Sequence, residues 1–368
     1  MSALPVFRAD VVGSLLRTDE LKQARKQAAE KNLSAEELRR IEDKAIQHCV
    51  HCQTAAGFSV LTDGEQRRAW WHFDFFEGVE GIEGYDTDEG IQFSGVQTKA
   101  RNVRVVGKLK FGNHPFLKDF EALQKIAGDA TAKITIPSPS VLHFRGGRSV
   151  VSREVYPNLD DFFKDLTQVY RDAIAAFYKL GCRYLQLDDT VWAYLCSEEQ
   201  KAQIRERGED PEELAKIYAR VINDAIKDKP ADLMIGMHVC RGNFRSTWIS
   251  SGGYEPVAEL LFGHVNIDNF LLEYDTDRAG GFEPLRFIKP GHQKVVLGLI
   301  TTKTGELEDP EVIKARIHEA AKFMPLDQIC LSTQCGFAST EEGNVLSHEA
   351  QQAKLNLVAQ VAREVWGQ

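Results

Sequence analysis

The chain has 368 residues, 43% hydrophobic and 27% charged, ordinary globular proportions at a length that allows one large barrel or two domains. Its formal net charge of −9 argues against a nucleic-acid binder, whose footprint is basic, and gives no support for docking on an anionic membrane surface. No stretch approaches the roughly 20 apolar residues of a membrane helix, "MSALPVFRADVVGS" lacks the apolar core of a secretory signal, and seven cysteines are too sparse for a disulfide scaffold, so a soluble, cytoplasmic protein with free thiols or metal-ligating ones is expected.

The first apolar run is "RADVVGSLL". A long helical pattern follows, strongest over "LSAEELRRIEDKAIQHCV", where Ser34 is a good N-cap and Glu37 completes a capping box. "HCVHC" (His48 to Cys52) has the look of a metal tract, yet in a helix Cys49 and Cys52 share a face with apolar positions and read as buried. The second run, "FSVLTDGE", leads into "AWWHFDFF", which has two readings: a packed lid, the favoured one, or a surface on which Trp70 and Trp71 stack against a flat ligand ring. From Phe93 to Phe111 polar and apolar residues alternate, the mark of an antiparallel excursion; its bounds are set at about residues 73–112. The remaining runs are "AKITIPS", "RYLQLDD", "LMIGMHVC", "VNIDNFLLEYD", "KVVLGLIT" and "DQICLSTQCG". Helical patterns separate them, including "DPEVIKARIHEAAKFM", where Asp309 caps and Pro310 takes the first turn. Runs dense in Val, Ile and Leu between helices imply parallel strands covered on both faces. Eight of them predict a single-domain (β/α)8 TIM barrel over residues 1–368, with the antiparallel hairpin inserted after the second strand. An open doubly wound sheet would announce a glycine-rich phosphate turn after its first strand, and "VVGSLLRT" has none.

In such barrels catalytic groups sit at the C-terminal ends of the strands. The runs end in Gly13-Ser14, Asp63-Gly64-Glu65, Pro137-Ser138, Asp188-Asp189, His238-Val239-Cys240, Glu273-Tyr274-Asp275 and Cys335-Gly336. His238 and Cys240, two apart, point to one side of a strand. With Glu273 and Cys335 they face the same mouth. Two thiolates, an imidazole and a carboxylate suit a borderline-soft metal in tetrahedral array, zinc above all. Singly, each has a bland explanation: a hydrogen-bonded histidine, a salt-bridged glutamate, cysteines buried as small apolar groups, as Cys182 and Cys330 are expected to be. Ligands drawn from separate strands suggest a metal that faces substrate rather than a structural staple.

At these residues the chain resembles the cobalamin-independent methionine synthase family, in particular its short members that correspond to the catalytic barrel. The likeness covers essentially the whole chain and rests on "GSLLRT", "DGEQRR", "QLDD", "HVCRGN", "LLEYD" and "STQCGF" in that order. The resemblance implies zinc held by His238, Cys240, Glu273 and Cys335. It also implies homocysteine bound by Gly13, Ser14, Glu65 and Asp188, with Glu65 and Asp188 as the catalytic acids. The implied reaction is methyl transfer from a methylated folate or a corrinoid to the homocysteine thiol, giving methionine. A donor protein or a second copy of the chain would be the macromolecular partner. Two departures stand out. The family's histidine after the seventh strand is replaced in "GLITTKTGELE" by Thr301, Lys303 and Thr304, and no tryptophan follows the third run. Other readings are zinc-dependent alkyl transfer to a different thiol, a metal-free tetrapyrrole-carboxylate decarboxylase gripping its substrate with Arg17, Arg241 and Arg245, and a scaffold with a decayed site.

Overall fold

Seven of the eight apolar runs form one parallel sheet in the computed structural model, which describes residues 4–88, 90–98 and 101–367. In chain order the strands are β1 (Val60–Leu61), β2 (Glu80–Asp86), β3 (Gln92–Phe93), β4 (Val96–Gln97), β5 (Arg101–Lys110), β6 (Thr131–Pro137), β7 (Tyr184–Asp189), β8 (Met234–Val239), β9 (Asn269–Glu273), β10 (Lys294–Ile300) and β11 (Ile329–Thr333). The parallel sheet runs β1-β6-β7-β8-β9-β10-β11, while β2 with β5 and β3 with β4 make two antiparallel pairs. The result is an α/β fold whose parallel sheet is curled. No helix among the described residues is long and apolar enough to cross a membrane.

The first run does not become a strand. Ala9 makes an isolated parallel bridge to Leu331, with Asp10 N–H donating to Leu331 O at 3.0 Å. At its other end, Leu15 N–H reaches Gly64 O at 3.0 Å, so the segment spans from the edge at β11 toward the edge at β1. Side chains explain the missing ladder. Val11 N–H donates to Asp10 Oδ1 (2.7 Å), Val12 O accepts from Gln186 Nε2 (2.6 Å), and Val11 O accepts from Lys133 Nζ. Main-chain groups that would pair with a neighbouring strand are taken by polar side chains from inside the curl.

The helices pack their apolar stripes on the outer face. In the helix Leu159–Lys179 the buried positions Phe162, Phe163, Leu166, Val169, Tyr170, Ala173, Ile174 and Phe177 recur at helical spacing. Each large side chain so covered contributes about 1.5–3 kcal/mol. The expected caps form: Ser34 and Glu37 make the reciprocal capping box, and Asp309 accepts from Glu311 N–H before Pro310. Cys49 is buried on its helix, Cys52 is half-buried, and Cys182 and Cys330 are buried; all are free thiols. Strand register sets the functional rim. Asp188 is level with His238, His238 with Leu271, and Glu273 with Gly298, so the polar ends of β7, β8 and β9 meet at one end of the sheet.

Candidate metal centre and active-site cavity

β8 carries His238 near its end, and the ladder continues one residue further, because Cys240 N–H donates to Asp189 O at 2.7 Å. This extra bond keeps Cys240 on the same side as His238. Glu273 is the last residue of β9. Cys335 follows β11, where Gln334 N–H bonds Ile300 O (2.8 Å) and Thr333 Oγ1 bonds Cys335 O (2.8 Å). The loop closes on the first run: Phe337 N–H donates to Ser14 O (2.8 Å) and Ala338 N–H to Ser14 Oγ (3.2 Å). A side chain at Gly336 would collide with Ser14, so only glycine allows this approach.

His238, Cys240, Glu273 and Cys335, all buried, bring one ligand atom each to within 4.8 Å of one another. The sulfurs of Cys240 and Cys335 are 3.6 Å apart, and two sulfurs each roughly 2.3 Å from a tetrahedral centre would sit about 3.8 Å apart. His238 Nδ1 bonds Leu271 O at 3.2 Å, and Glu273 Oε1 accepts Arg241 N–H at 2.8 Å. Their other atoms, His238 Nε2 and Glu273 Oε2, are buried without partners among the described residues. An imidazole fixed through Nδ1 with Nε2 free, and a carboxylate fixed through one oxygen with the other free, is how metal ligands are oriented. The residues present fit a thiophilic divalent ion.

The four groups also shift one another's proton affinity. The hydrogen bond from Cys240 keeps the Cys335 thiol well below its ordinary range, and the same pairing, with burial, pushes Cys240 well above it. Burial alone would lower His238, yet the Cys335 thiolate outweighs it and raises the imidazole to about 9. Burial, then the Cys335 charge, lifts Glu273 to about 7.

Two acids face the same cavity. Its lining includes Ser14, Glu65, Asp188, His238, Cys240 and Cys335. Glu65 sits in the left-handed region (φ 56°) after Gly64 (φ 64°), a turn closed by Glu65 N–H donating to Asp63 Oδ1 at 2.8 Å. A non-glycine residue there is strained by on the order of 1–2 kcal/mol, and the strain aims its carboxylate inward. Glu65 Oε1 accepts from Thr135 Oγ1 (3.1 Å) and lies 3.7 Å from Arg68, whereas Oε2 has no partner among the described residues. Asp188 accepts from Gln186 Nε2 at 2.7 Å. Burial first, then the Glu65 charge, raises Asp188 to about 7; burial also raises Glu65 against the pull of Arg68 and Arg17. Gly13 stands behind Glu65, and a Cβ there would come within 2.9 Å of Oε1.

The arginines of the decarboxylase alternative lie outside the cavity. Arg17 is buried, and donates to Glu65 O (2.7 Å), Arg68 O (3.1 Å) and Ala338 O. Arg241 is buried over the Tyr254 ring at 4.4 Å, and Arg245 is exposed. None of the three lines the cavity. The Lys303 ammonium braces the loop after Cys240, donating to Asn243 Oδ1 and Thr247 O, each at 3.1 Å. Other lining residues were not singled out in the sequence: His72, Arg145, Tyr194, Asn243, and Ile91, Phe93 and Thr98 from around the β3–β4 pair. Trp70 and Trp71 line it too. The only sequence signal for His72 was its place in the loop carrying Glu65, and the surrounding aromatics obscured it.

A curled parallel sheet with two thiols, an imidazole and three acids at one end defines an α/β protein with a candidate metal-binding site at the rim of its sheet. The family described as cobalamin-independent synthase, catalytic domain, matches residues 7–364, and the chain belongs to this cobalamin-independent methionine synthase family, as a short form. It is 53% identical over 363 residues to the uncharacterized protein YxjG of Bacillus subtilis, covering 98% of this chain and 95% of that one. The crystal structure of a putative vitamin-B12 independent methionine synthase from Listeria monocytogenes is 45% identical, covers both chains fully and superposes with a TM-score of 0.81. A B12-independent methionine synthase from Shewanella sp. W3-18-1, solved with selenomethionine, shares the fold (TM-score 0.73, 21% identity, 98% of each chain).

Proposed function

We propose that this protein is a zinc-dependent S-methyltransferase that forms methionine from homocysteine and a methylated folate or corrinoid donor. One observation carries the reading: four candidate ligands converge within 4.8 Å, with the free atoms of His238 and Glu273 unpartnered, beside the acids Glu65 and Asp188. Zinc bound by His238, Cys240, Glu273 and Cys335 would hold the incoming thiol as thiolate near neutral pH, where a free thiol is mostly protonated. The chain's own residues do the rest. Glu65 Oε2 and the Asp188 carboxylate receive the substrate ammonium, whose charge draws both acids back to the anionic form. Gly13 and Ser14 supply the turn for its carboxylate. Thr135 and Arg68 fix Glu65, Gln186 fixes Asp188, and Arg241 N–H fixes Glu273. Holding the sulfur against the methyl group supplies much of the rate.

The reading takes the segment 8–15 as the eighth stave of a (β/α)8 barrel and the β2–β5 region as its insertion. It also takes the free thiols to indicate a cytoplasmic protein. A donor protein or a second copy of the chain remains the candidate partner. The amino-binding acids favour an amino-acid thiol over the different thiol of the alkyl-transfer alternative. The test is methyl transfer to homocysteine with a panel of folate and corrinoid donors, alongside metal analysis. About one zinc per chain and chelator-sensitive transfer are expected; full activity in chelator-stripped protein rejects the reading.

A further inference from the structure

Three lysines are buried among the described residues, and the chain itself neutralises two of them. Lys133 pairs with Asp10 at 2.6 Å, and Lys354 pairs with Glu308 at 3.0 Å. Lys303 differs. It is 7% exposed, yet no carboxylate of the described residues lies within 4.0 Å of its ammonium. The ammonium donates to neutral oxygens of the loop after Cys240: Asn243 Oδ1 and Thr247 O at 3.1 Å, and Gly242 O at 3.4 Å. Taking a charge out of water without a counter-charge is costly. A fold that keeps such a cation points to an anion nearby that the ammonium does not touch.

The metal centre is that neighbour. Asn243, which Lys303 grips, donates through Nδ2 to Gly336 O at 2.7 Å, and Thr302 Oγ1 donates to the same oxygen at 3.0 Å. Lys303 thus sits where the loops after Cys240 and Cys335 are tied together. Its field reaches Cys240, Glu273 and Cys335 at once. It belongs to "GLITTKTGELE", a stretch in which the chain departs from its family, and it does not line the cavity. Its influence on a bound substrate is therefore by charge and not by contact.

Resting on the methyl-transfer reading above, we propose that Lys303 is the counter-charge of the metal centre, a positioning residue that lets the substrate sulfur settle as a thiolate beside two cysteine thiolates and a carboxylate. Ionised Cys240, Glu273 and Cys335 bring three negative charges against the two positive charges of a divalent ion, with His238 neutral. A bound thiolate, its proton lost to water, adds a fourth. Lys303 offsets the added charge without taking a coordination position. One unit charge acting through protein at an effective dielectric of about 20 changes a binding constant by about 10- to 100-fold.

The experiment separates charge from bracing. The zinc-loaded enzyme is titrated calorimetrically with homocysteine, whose sulfur binds as an anion, and with methionine, which has the same ammonium and carboxylate but an uncharged sulfur. Lys303→Gln removes the charge and keeps N–H donors for Asn243 and Thr247; Lys303→Met removes both. Each variant should bind homocysteine about 10- to 100-fold more weakly and methionine within about threefold of wild type. Equal losses for the two amino acids, or wild-type homocysteine affinity in Lys303→Gln, would mean that the lysine only braces its loop, and overturns the assignment while the methyl-transfer reading stands. A wild-type enzyme that takes up neither zinc nor homocysteine rejects that reading and the counter-charge with it. A measurement on the wild type avoids any folding defect: in zinc-loaded protein labelled with ¹⁵N-lysine, homocysteine should shift the Lys303 ammonium resonance more than methionine does. Equal shifts, or none with saturating homocysteine, also overturn the assignment.

Discussion

Two clusters of buried polar side chains lie inside the same curled sheet, and they differ in one respect. Around Lys133 every group is answered: its ammonium bonds Asp10 Oδ1 (2.6 Å), Gln186 Oε1 (3.0 Å) and Val11 O, while Tyr184 OH donates to Asp10 Oδ2 (2.7 Å). At the rim, His238 Nε2, Glu273 Oε2, Glu65 Oε2 and both nitrogens of His72 lack partners among the described residues. Burial is equally deep in both; Lys133 and Asp10 are each 1% exposed, Glu273 0%. The first cluster has used its hydrogen-bonding capacity on the chain itself and serves the fold. The second keeps capacity in reserve, which only a ligand can use.

The sharpest way to break the comparison is at the rim. Cys335→Ser should drop the metal from about one per chain toward none. It should cut methyl transfer by more than about 10³-fold, the several kcal/mol a metal centre supplies, with little change in urea midpoint of the metal-free protein. Elemental analysis and a methionine-formation assay read this out; retained metal at wild-type affinity would remove Cys335 from the ligand set. The converse belongs to the saturated cluster. Lys133→Met strands the Asp10 carboxylate and should cost about 3–5 kcal/mol of stability in urea unfolding, while the molecules still folded bind metal normally. Adding Asp10→Asn should recover part of that loss. If the double variant is no better than the single, the pair is not what the cluster depends on.

A smaller effect tests the acids. Glu65→Gln should weaken homocysteine binding about 10- to 100-fold, the worth of one charge-assisted hydrogen bond. Binding of 3-mercaptopropionate, which lacks the amino group, should not change. Equal weakening of both thiols would mean that Glu65 does not read the ammonium.

The smallest effect is in pH. His114 caps the helix Pro115–Ala127 through Nδ1, and burial holds it down at about 4. Unfolded, it takes up a proton near 6.5. Between these values the unfolded chain binds more protons, so stability falls as pH drops from 6.5 toward 4, by up to about 1.4 kcal/mol per unit. His114→Asn keeps a capping side chain and should flatten that slope by about one proton. A slope unchanged in the variant would place the acid sensitivity elsewhere.

Much of this was legible in the chain. The apolar runs from Val60 to Thr333 became the parallel sheet, since Val- and Ile-rich runs between amphipathic helices have few other ways to bury both faces. The capping residues Ser34 and Asp309 acted as their local chemistry dictates. The first run was the exception. Its pattern is strand-like, but Asp10, Lys133 and Gln186 take its main-chain groups, and nothing local to "RADVVGSLL" reveals a lysine from β6 or a glutamine from β7.

The site divides the same way. Residue type and rim position of His238, Cys240, Glu273 and Cys335 follow from the sequence, because strand periodicity fixes which side chains face inward at a strand's end. That they meet within 4.8 Å was decided by strand register and by the Gly336–Ser14 approach, which join segments far apart in the chain. His72 was invisible for the same reason. An unpartnered imidazole is a property of the groups that fail to surround it, and only the folded arrangement of distant segments determines those.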